Sequence, residues 1–289
     1  FGPPLRVGTR GEITLIELKT VHDEAMTDKG NNADDHLSAV DRNASDRGCA
    51  SDEAMASTDI ITVDDLKGLP APVAGWLKKT GIVGTPRVHR VWVSQESEMR
   101  LSPEKDRWNR AISEQVFDVD EPAFTWKVKM KMGPFNLVRG VDEFSRGKGH
   151  MTIRLLNLFP VVDAGGPKID EGSIQRFLGE MVWFPAAALN SYITWEAVDR
   201  YTARAVIESH GTRGEGTFHF NEEGDFVRFS AMRFRGNEAD SKRYEWVIDV
   251  KDYATFEGIR LPSQMEATWK LEEGDWTWLK MRVTEIRYC

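Results

Sequence analysis

The sequence predicts a mainly β fold (α+β): a curved antiparallel sheet or half-barrel of about 10–12 strands, with a central helix packed on its concave face. Three observations support this prediction. Apolar residues alternate with polar ones along many short segments, polar turns separate those segments, and one amphipathic helix interrupts them in the middle of the chain. A doubly wound α/β fold would instead need a helix after nearly every strand.

Period-two alternation identifies the predicted strands. It is clearest where three lysines alternate with four apolar residues, Trp126, Val128, Met130 and Met132, and it recurs over 244–250 and 265–271. Further candidates bring the total to about eleven: 87–94, 111–119, 136–145, 149–159, 202–209, 215–220, 225–235 and 276–287. Polar turns that contain glycine lie between them, which favours antiparallel hairpins.

Two segments show helical spacing instead. Val73, Trp76 and Leu77 recur at this spacing up to Gly81, which predicts a short amphipathic helix near the start of the folded part. Residues 170–190 are predicted to form the long central helix, because apolar side chains three and four positions apart lie on one face. Because Pro185 lacks a backbone donor and opposes the carbonyl of Met181, we expect this helix to kink or end there.

Charge divides the chain into three parts. Residues 22–59 hold ten acidic side chains against three basic ones and few large apolar residues, which predicts an acidic flexible linker. Residues 1–21 are an N-terminal fragment of uncertain structure, and 60–289 form a single β-rich half-barrel domain. Outside the linker the charges nearly balance and no basic stripe occurs, so nucleic acid is not an expected partner.

The sequence contains no familiar catalytic or cofactor motif. A phosphate-cradling glycine loop and a Gly-x-Ser-x-Gly elbow are both absent. The six histidines are scattered without the spacing of a helical metal site, and two cysteines are too few for a structural zinc site. We therefore expect no cofactor, no metal and no catalytic residue. Whether the chain is an enzyme stays open, with a non-catalytic role favoured.

No run of about 18 apolar residues occurs, so no membrane span is expected within this sequence. The chain begins at Phe1 rather than Met, so a signal peptide or membrane anchor could have preceded it. The expected location is therefore the cytoplasm or, if such a segment was removed, the cell envelope.

The central helix carries the most informative group of side chains. Arg176, Glu180 and Trp183 lie four and three positions apart, so one helix face presents them together. On an outer surface, Arg176 and Glu180 would form an ordinary ion pair worth under about 0.5 kcal/mol. The large indole of Trp183 favours a semi-buried interior instead. Both a structural pairing and a ligand contact are consistent with this arrangement.

Tryptophan and methionine are frequent in the predicted strands and the central helix. A large core under a twisted sheet would use such residues, and so would an apolar hollow for an acyl chain or a similar ligand. On the second interpretation, the ligand-binding residues are Trp126, Arg176, Glu180, Trp183 and Trp195.

Several motifs together resemble a family of uncharacterised bacterial proteins over roughly 64–288. They are Leu69-Pro70-Ala71-Pro72-Val73 with Trp76-Leu77, Gln115 ahead of Phe124-x-Trp126, Asp142 with Gly147 and Gly149, the segment Phe177-Leu178-Gly179-Glu180-Met181-Val182-Trp183-Phe184-Pro185, and Trp195-Glu196. That family is similar in fold to the periplasmic lipoprotein carriers of the LolA and LppX type, in which an open antiparallel half-barrel holds helices against its hollow. The resemblance implies a fold and no catalytic residue.

The favoured hypothesis is a non-catalytic binding or carrier protein whose partner is a hydrophobic small molecule or lipid. Two alternatives stay open. One is an enzyme of unknown reaction that uses Glu180 as acid or base and Arg176 to hold an anion. The other is a structural or interaction module.

We predict that limited proteolysis cleaves first within 22–59, because a charged segment with little apolar surface has few contacts to protect it. Deleting this segment should leave the Tm nearly unchanged. Protection from protease, or a large fall in Tm on deletion, would show that the segment docks on the domain.

Overall fold

Thirteen strands of the described chain form one antiparallel sheet. The computed structural model describes residues 59–132, 136–155 and 159–289. The strands are β1 (Arg90–Met99), β2 (Asn109–Asp118), β3 (Ala123–Met132), β4 (Asn136–Ser145), β5 (Lys148–Leu155), β6 (Phe159–Gly165), β7 (Ile193–Asp199), β8 (Thr202–Ser209), β9 (Thr212–Phe220), β10 (Phe226–Phe234), β11 (Arg243–Phe256), β12 (Ile259–Leu271) and β13 (Gly274–Tyr288). The helices are α1 (Ala71–Thr80), α2 (Pro167–Glu180) and short 3-10 helices at Val63–Leu66, Met181–Trp183 and Pro185–Leu189. The predicted fold class is confirmed, with thirteen strands in place of about ten to twelve.

The strands follow a simple order across the sheet. The order is β6-β5-β4-β3-β2-β1-β13-β12-β11-β10-β9-β8-β7, so every two adjacent strands are also consecutive in sequence except β1 and β13. The two edges are β6 and β7, which do not pair with each other, and the chain between them contains α2. The sheet is therefore open, and the central helix connects its two edge strands.

The contacts of α2 show that the sheet is strongly curved. The helix packs against β4, β5 and β6 near one edge and against β8, β9 and β10 near the other. In a flat sheet β5 and β9 would be about 43 Å apart, whereas a helix is only about 10 Å wide. The two flanks therefore wrap around α2, which lies on the concave face as predicted. The flanks also meet directly, since Thr212 Oγ1 donates to the Gly147 carbonyl at 2.7 Å.

Two glycines allow α2 to approach the sheet closely. A Cβ at Gly179 of α2 would lie 2.9 Å from Cδ1 of Phe229 on β10. A Cβ at Gly214 of β9 would lie 2.8 Å from Cγ2 of Ile174 in α2. Both distances are shorter than an ordinary carbon–carbon contact of about 3.5–4.0 Å. Side chains at either position would push the helix and the sheet apart.

The sequence patterns miss the two edge strands. The candidate segment 149–159 covers nearly all of β5 but only the first residue of β6. In β7 the alternation covers only five residues, from Ile193 to Ala197, and most side chains are exposed. An edge strand has a neighbour on one side only and often buries little, which weakens the pattern that identifies central strands.

The central helix differs in its bounds from the predicted 170–190. The α-helix begins at Pro167 and ends at Glu180, and two 3-10 helices continue the chain to Leu189. Pro185 cannot donate a backbone hydrogen bond and restricts the residue before it, so Phe184 takes a non-helical conformation with φ −139° and ψ 67°. The α-helix ends about one turn before Pro185. The missing donor of Pro185 and its clash with the carbonyl four residues earlier disfavour α geometry in the preceding turn.

The short helix α1 covers one end of the hollow, where β9 turns into β10. Its Trp76 is almost fully buried, with ring centroids between 6.0 and 6.3 Å from those of Phe218, Phe220 and Phe226. The helix ends at Gly81, whose φ of 87° is the left-handed conformation that glycine adopts most easily. This part of the prediction is confirmed.

Of the three predicted parts of the chain, 1–21 and nearly all of 22–59 lie outside the described residues. The third part, 60–289, contains every strand and helix described above.

We predict that Gly179→Ala lowers the Tm, because the new methyl group would press against Phe229. Overpacking of this kind typically costs about 1–3 kcal/mol. Gly75→Ala is the matched control, since Gly75 is also inside a helix but has no atom within 4 Å of its would-be Cβ. The control should gain about 0.5–1 kcal/mol from the better helix propensity of alanine. If both variants became more stable, the close approach of α2 to β10 would be incorrect.

Candidate functional site

A buried hydrogen-bond network joins the middle of α2 to the sheet. The guanidinium of Arg176 donates through Nε to Glu180 Oε1 at 2.9 Å, through Nη1 to Asp142 Oδ2 at 2.6 Å, and through Nη2 to Gln115 Oε1 at 3.1 Å. Gln115 in turn donates through Nε2 to Glu180 Oε2 at 2.8 Å. Each nitrogen of the Arg176 guanidinium thus has an acceptor, and both oxygens of Glu180 accept.

The pairing register explains how distant residues meet in this network. Gln115 on β2 lies directly opposite Trp126 on β3, which lies directly opposite Asp142 on β4. Directly opposite residues share a face of the sheet, so the three side chains form one row facing α2. The guanidinium of Arg176 lies above this row, 4.8 Å from the ring centroid of Trp126 and 5.0 Å from that of Phe124.

Burial and pairing act in opposite directions on the two charges of α2. Burial raises the pKa of the Glu180 carboxyl, and the charge of Arg176 with the hydrogen bond from Gln115 offsets only part of that rise. Burial alone would lower the pKa of Arg176, but the carboxylates of Glu180 and Asp142 outweigh it and raise the pKa. The side chains of Arg176 and Asp142 are 15% and 16% exposed, against 7% for Glu180, so the network has one partly open side.

A row of three tryptophans crosses the inner face on the opposite flank. Trp246 on β11 lies directly opposite Trp269 on β12, which lies directly opposite Trp276 on β13. Trp246 is buried and belongs to the core, whereas Trp269 and Trp276 are half-buried. We call these three residues the tryptophan row. The guanidinium of Arg233 on β10 lies 4.1 Å from the Trp246 ring centroid and 5.9 Å from that of Trp269.

The structure brings together three of the five predicted site residues, namely Trp126, Arg176 and Glu180. The other two lie outside the network. Trp183 is fully buried and donates through Nε1 to the Pro262 carbonyl at 3.2 Å. Trp195 donates to the Ala188 carbonyl at 3.0 Å and packs edge-on against Phe218.

Sequence reasoning did not assign Gln115, Asp142 or Arg233 to the site. Gln115 and Asp142 belong to the motifs that carry the family resemblance, but their meeting with Arg176 depends on the strand register. One signal was present in the sequence. Gln115 occupies an inward position of β2 between Ser113 and Phe117, where an apolar side chain would be expected.

A cavity of about 850 Å³ lies on the opposite, outward face of the sheet. Charged side chains form much of its wall, among them Glu96, Glu98, Arg110, Lys280 and Arg282. None of the predicted site residues lines it. Apolar residues such as Ala111 and Ile112 form part of the rest, so the wall is mixed.

Two further findings concern the part of the chain that the structure describes. It contains no group of three or more His, Cys, Asp or Glu side chains arranged to hold a metal ion. Within the same residues, every helix is too short or too polar to cross a membrane.

A family model described as "Family of unknown function (DUF6544)" matches residues 59–281. The chain belongs to this family, which confirms the predicted membership of an uncharacterised family. No curated protein matches the chain significantly.

Two solved structures are similar to this chain. One is a LolA superfamily protein from Nitrosomonas europaea, with 9% identity and a TM-score of 0.39 over 74% of this chain and 92% of that one. The other is a beta-barrel-like protein of the domain of unknown function DUF1849 from Brucella abortus, with 10% identity and a TM-score of 0.26 over 70% of this chain and 99% of that one. At this level of similarity neither structure bears on function.

We predict that Glu180→Ala lowers the free energy of unfolding by about 3–5 kcal/mol, the scale for removing one partner of a buried ion pair. The variant would deprive both Arg176 and Gln115 of an acceptor. Glu171→Ala is the control, because Glu171 lies in the same helix and pairs with Arg243, and their side chains are 23% and 39% exposed. A partly exposed pair of this kind contributes under about 1 kcal/mol. Urea denaturation compares the two, and equal losses would contradict an anchoring role for the network.

Proposed function

We propose that this member of the DUF6544 family is a non-catalytic binding or carrier protein for a hydrophobic, lipid-like ligand held in the hollow of its curved sheet. The tryptophan row is the observation that carries the proposal. α2 packs on β4–β6 and β8–β10, whereas the row lies on β11–β13 and keeps Trp269 and Trp276 half-buried. Large aromatic surfaces left partly open on a concave face are typical of apolar ligand sites.

The remaining walls of the hollow also suit an apolar chain. Met130, Met265 and Met281 are buried inward-facing residues on β3, β12 and β13. Methionine is flexible and polarizable, so it adapts to ligands of varied shape. Trp126 and Ile153 are partly buried members of the same core on the facing flank. The proposal therefore places the ligand between the tryptophan row and the β3–β5 flank.

The arrangement of Glu180 gives less support to an enzyme. A general acid or base must reach a substrate atom within hydrogen-bond distance. Both oxygens of Glu180 already accept hydrogen bonds from Arg176 and Gln115, and the residue is 6% exposed. These contacts suit a residue that fixes the position of the helix better than one that transfers a proton.

The fluorescent fatty acid cis-parinaric acid tests the proposal directly. We expect saturable binding to the purified protein, and about tenfold weaker binding to Trp269→Ala, since burial of a large apolar side chain is worth about 1.5–3 kcal/mol. Trp108→Ala is the control. Trp108 is also half-buried, but its ring stacks with Arg100 and Lys280, and Lys280 lines the outward cavity.

Lipid extraction of the purified protein followed by mass spectrometry provides an independent test of the same proposal. We expect an apolar molecule to co-purify in stoichiometric amount. If no molecule co-purified and the fatty acid did not bind saturably, the carrier proposal would be wrong and a structural or interaction module would replace it.

A further inference from the structure

Arg233 differs from Arg176 in having no direct carboxylate partner among the residues that the structure describes. Its Nη2 donates to the Gly172 carbonyl of α2 at 2.8 Å, and its guanidinium stacks on Trp246. Among the described residues it forms no ion pair with a carboxylate, whereas Arg176 pairs with both Asp142 and Glu180. A buried charge is costly unless a group of opposite charge compensates it. Arg233 is therefore a half-buried cation of the inner face with no direct carboxylate partner among the described residues, and Asp142, Glu180 and Glu171 act on it only from farther away.

Arg233 and Trp246 also have one unused hydrogen-bond donor each. Nε of Arg233 and Nε1 of Trp246 are both buried, and neither has an acceptor among the described residues. A buried donor without an acceptor loses the free energy of its bonds to water and gains nothing in return. Burial, together with the nearby charge of Arg176, lowers the pKa of Arg233 to about 10. The guanidinium thus remains positively charged at neutral pH.

We propose that Arg233 binds the anionic headgroup, a carboxylate or a phosphate, of an amphiphile whose apolar chain lies against the tryptophan row. A guanidinium is suited to this role because its planar donors match the oxygens of such groups. Arg233 and Trp246 belong to adjacent strands, so headgroup and chain would occupy neighbouring parts of one site. This inference rests on the proposed function and names the chemical class of its ligand.

The test compares cis-parinaric acid with its uncharged methyl ester, which has the same fluorescent chain. We expect the wild-type protein to bind the acid at least about tenfold more tightly than the ester, the difference that one charge-assisted hydrogen bond can supply. Arg233→Met should bind both probes with the affinity of the ester, and Arg233→Lys should keep part of the preference. Arg243→Met is the control, because Arg243 also stacks on an aromatic ring, that of Phe234 at 4.0 Å, and pairs with Glu171.

Competition separates an amphiphile from a free anion. Dodecyl phosphate should displace cis-parinaric acid from the wild-type protein, whereas inorganic phosphate at the same concentration should not. Equal wild-type affinities for acid and ester, or an unchanged preference in Arg233→Met with a wild-type circular dichroism spectrum, would overturn the inference and leave the carrier proposal intact. If inorganic phosphate displaced the probe and dodecyl phosphate did not, the inference would also be overturned. Failure of both probes to bind the wild-type protein would instead refute the carrier proposal.

Discussion

The position of α2 depends on the need to satisfy one buried guanidinium. Arg176 points from the middle of the helix into the sheet, where burial would be costly without acceptors. Its acceptors come from the helix itself, from β2 and from β4, so the helix can lie in one place only on this flank. Replacing such a network by apolar residues is often neutral for stability, whereas removing one member is not. The network therefore fixes the position of α2 on the sheet more than it stabilises the fold.

That position in turn requires the curvature of the sheet. α2 contacts β4 through the hydrogen bond of Arg176 to Asp142, and it contacts β9 and β10 at Gly214 and Phe229, although these strands lie near opposite edges. An open sheet satisfies both sets of contacts only by wrapping around the helix. α2 and α1 fill part of the concave side, and Trp183 contacts β12 through its hydrogen bond to the Pro262 carbonyl. The tryptophan row and Arg233 also lie on this side.

The sequence predicted the parts of this structure that depend on local pattern. Alternation identified the central strands, spacing identified both helices, and Pro185 marked the region where α geometry ends. The edge strands escaped because β6 follows β5 after a very short connection and because the alternation in β7 covers only five residues. Gln115 and Asp142 are 61 and 34 positions from Arg176 in sequence, so their contacts follow from strand register, which no local pattern contains. Arg176 and Glu180 were paired correctly because four positions along a helix is a local relation.

The central claim is that an apolar chain lies on the inner face of β11–β13. Photo-crosslinking with a fatty acid that carries a diazirine at its chain end, followed by residue-level peptide mass spectrometry, tests it most directly. Because inward and outward side chains alternate along each strand, the assignment distinguishes the two faces without ambiguity. We expect adducts on inward residues such as Trp269, Trp276 and Trp126. Adducts on outward neighbours such as Lys270 and Lys127, or spread equally over both faces, would contradict the account.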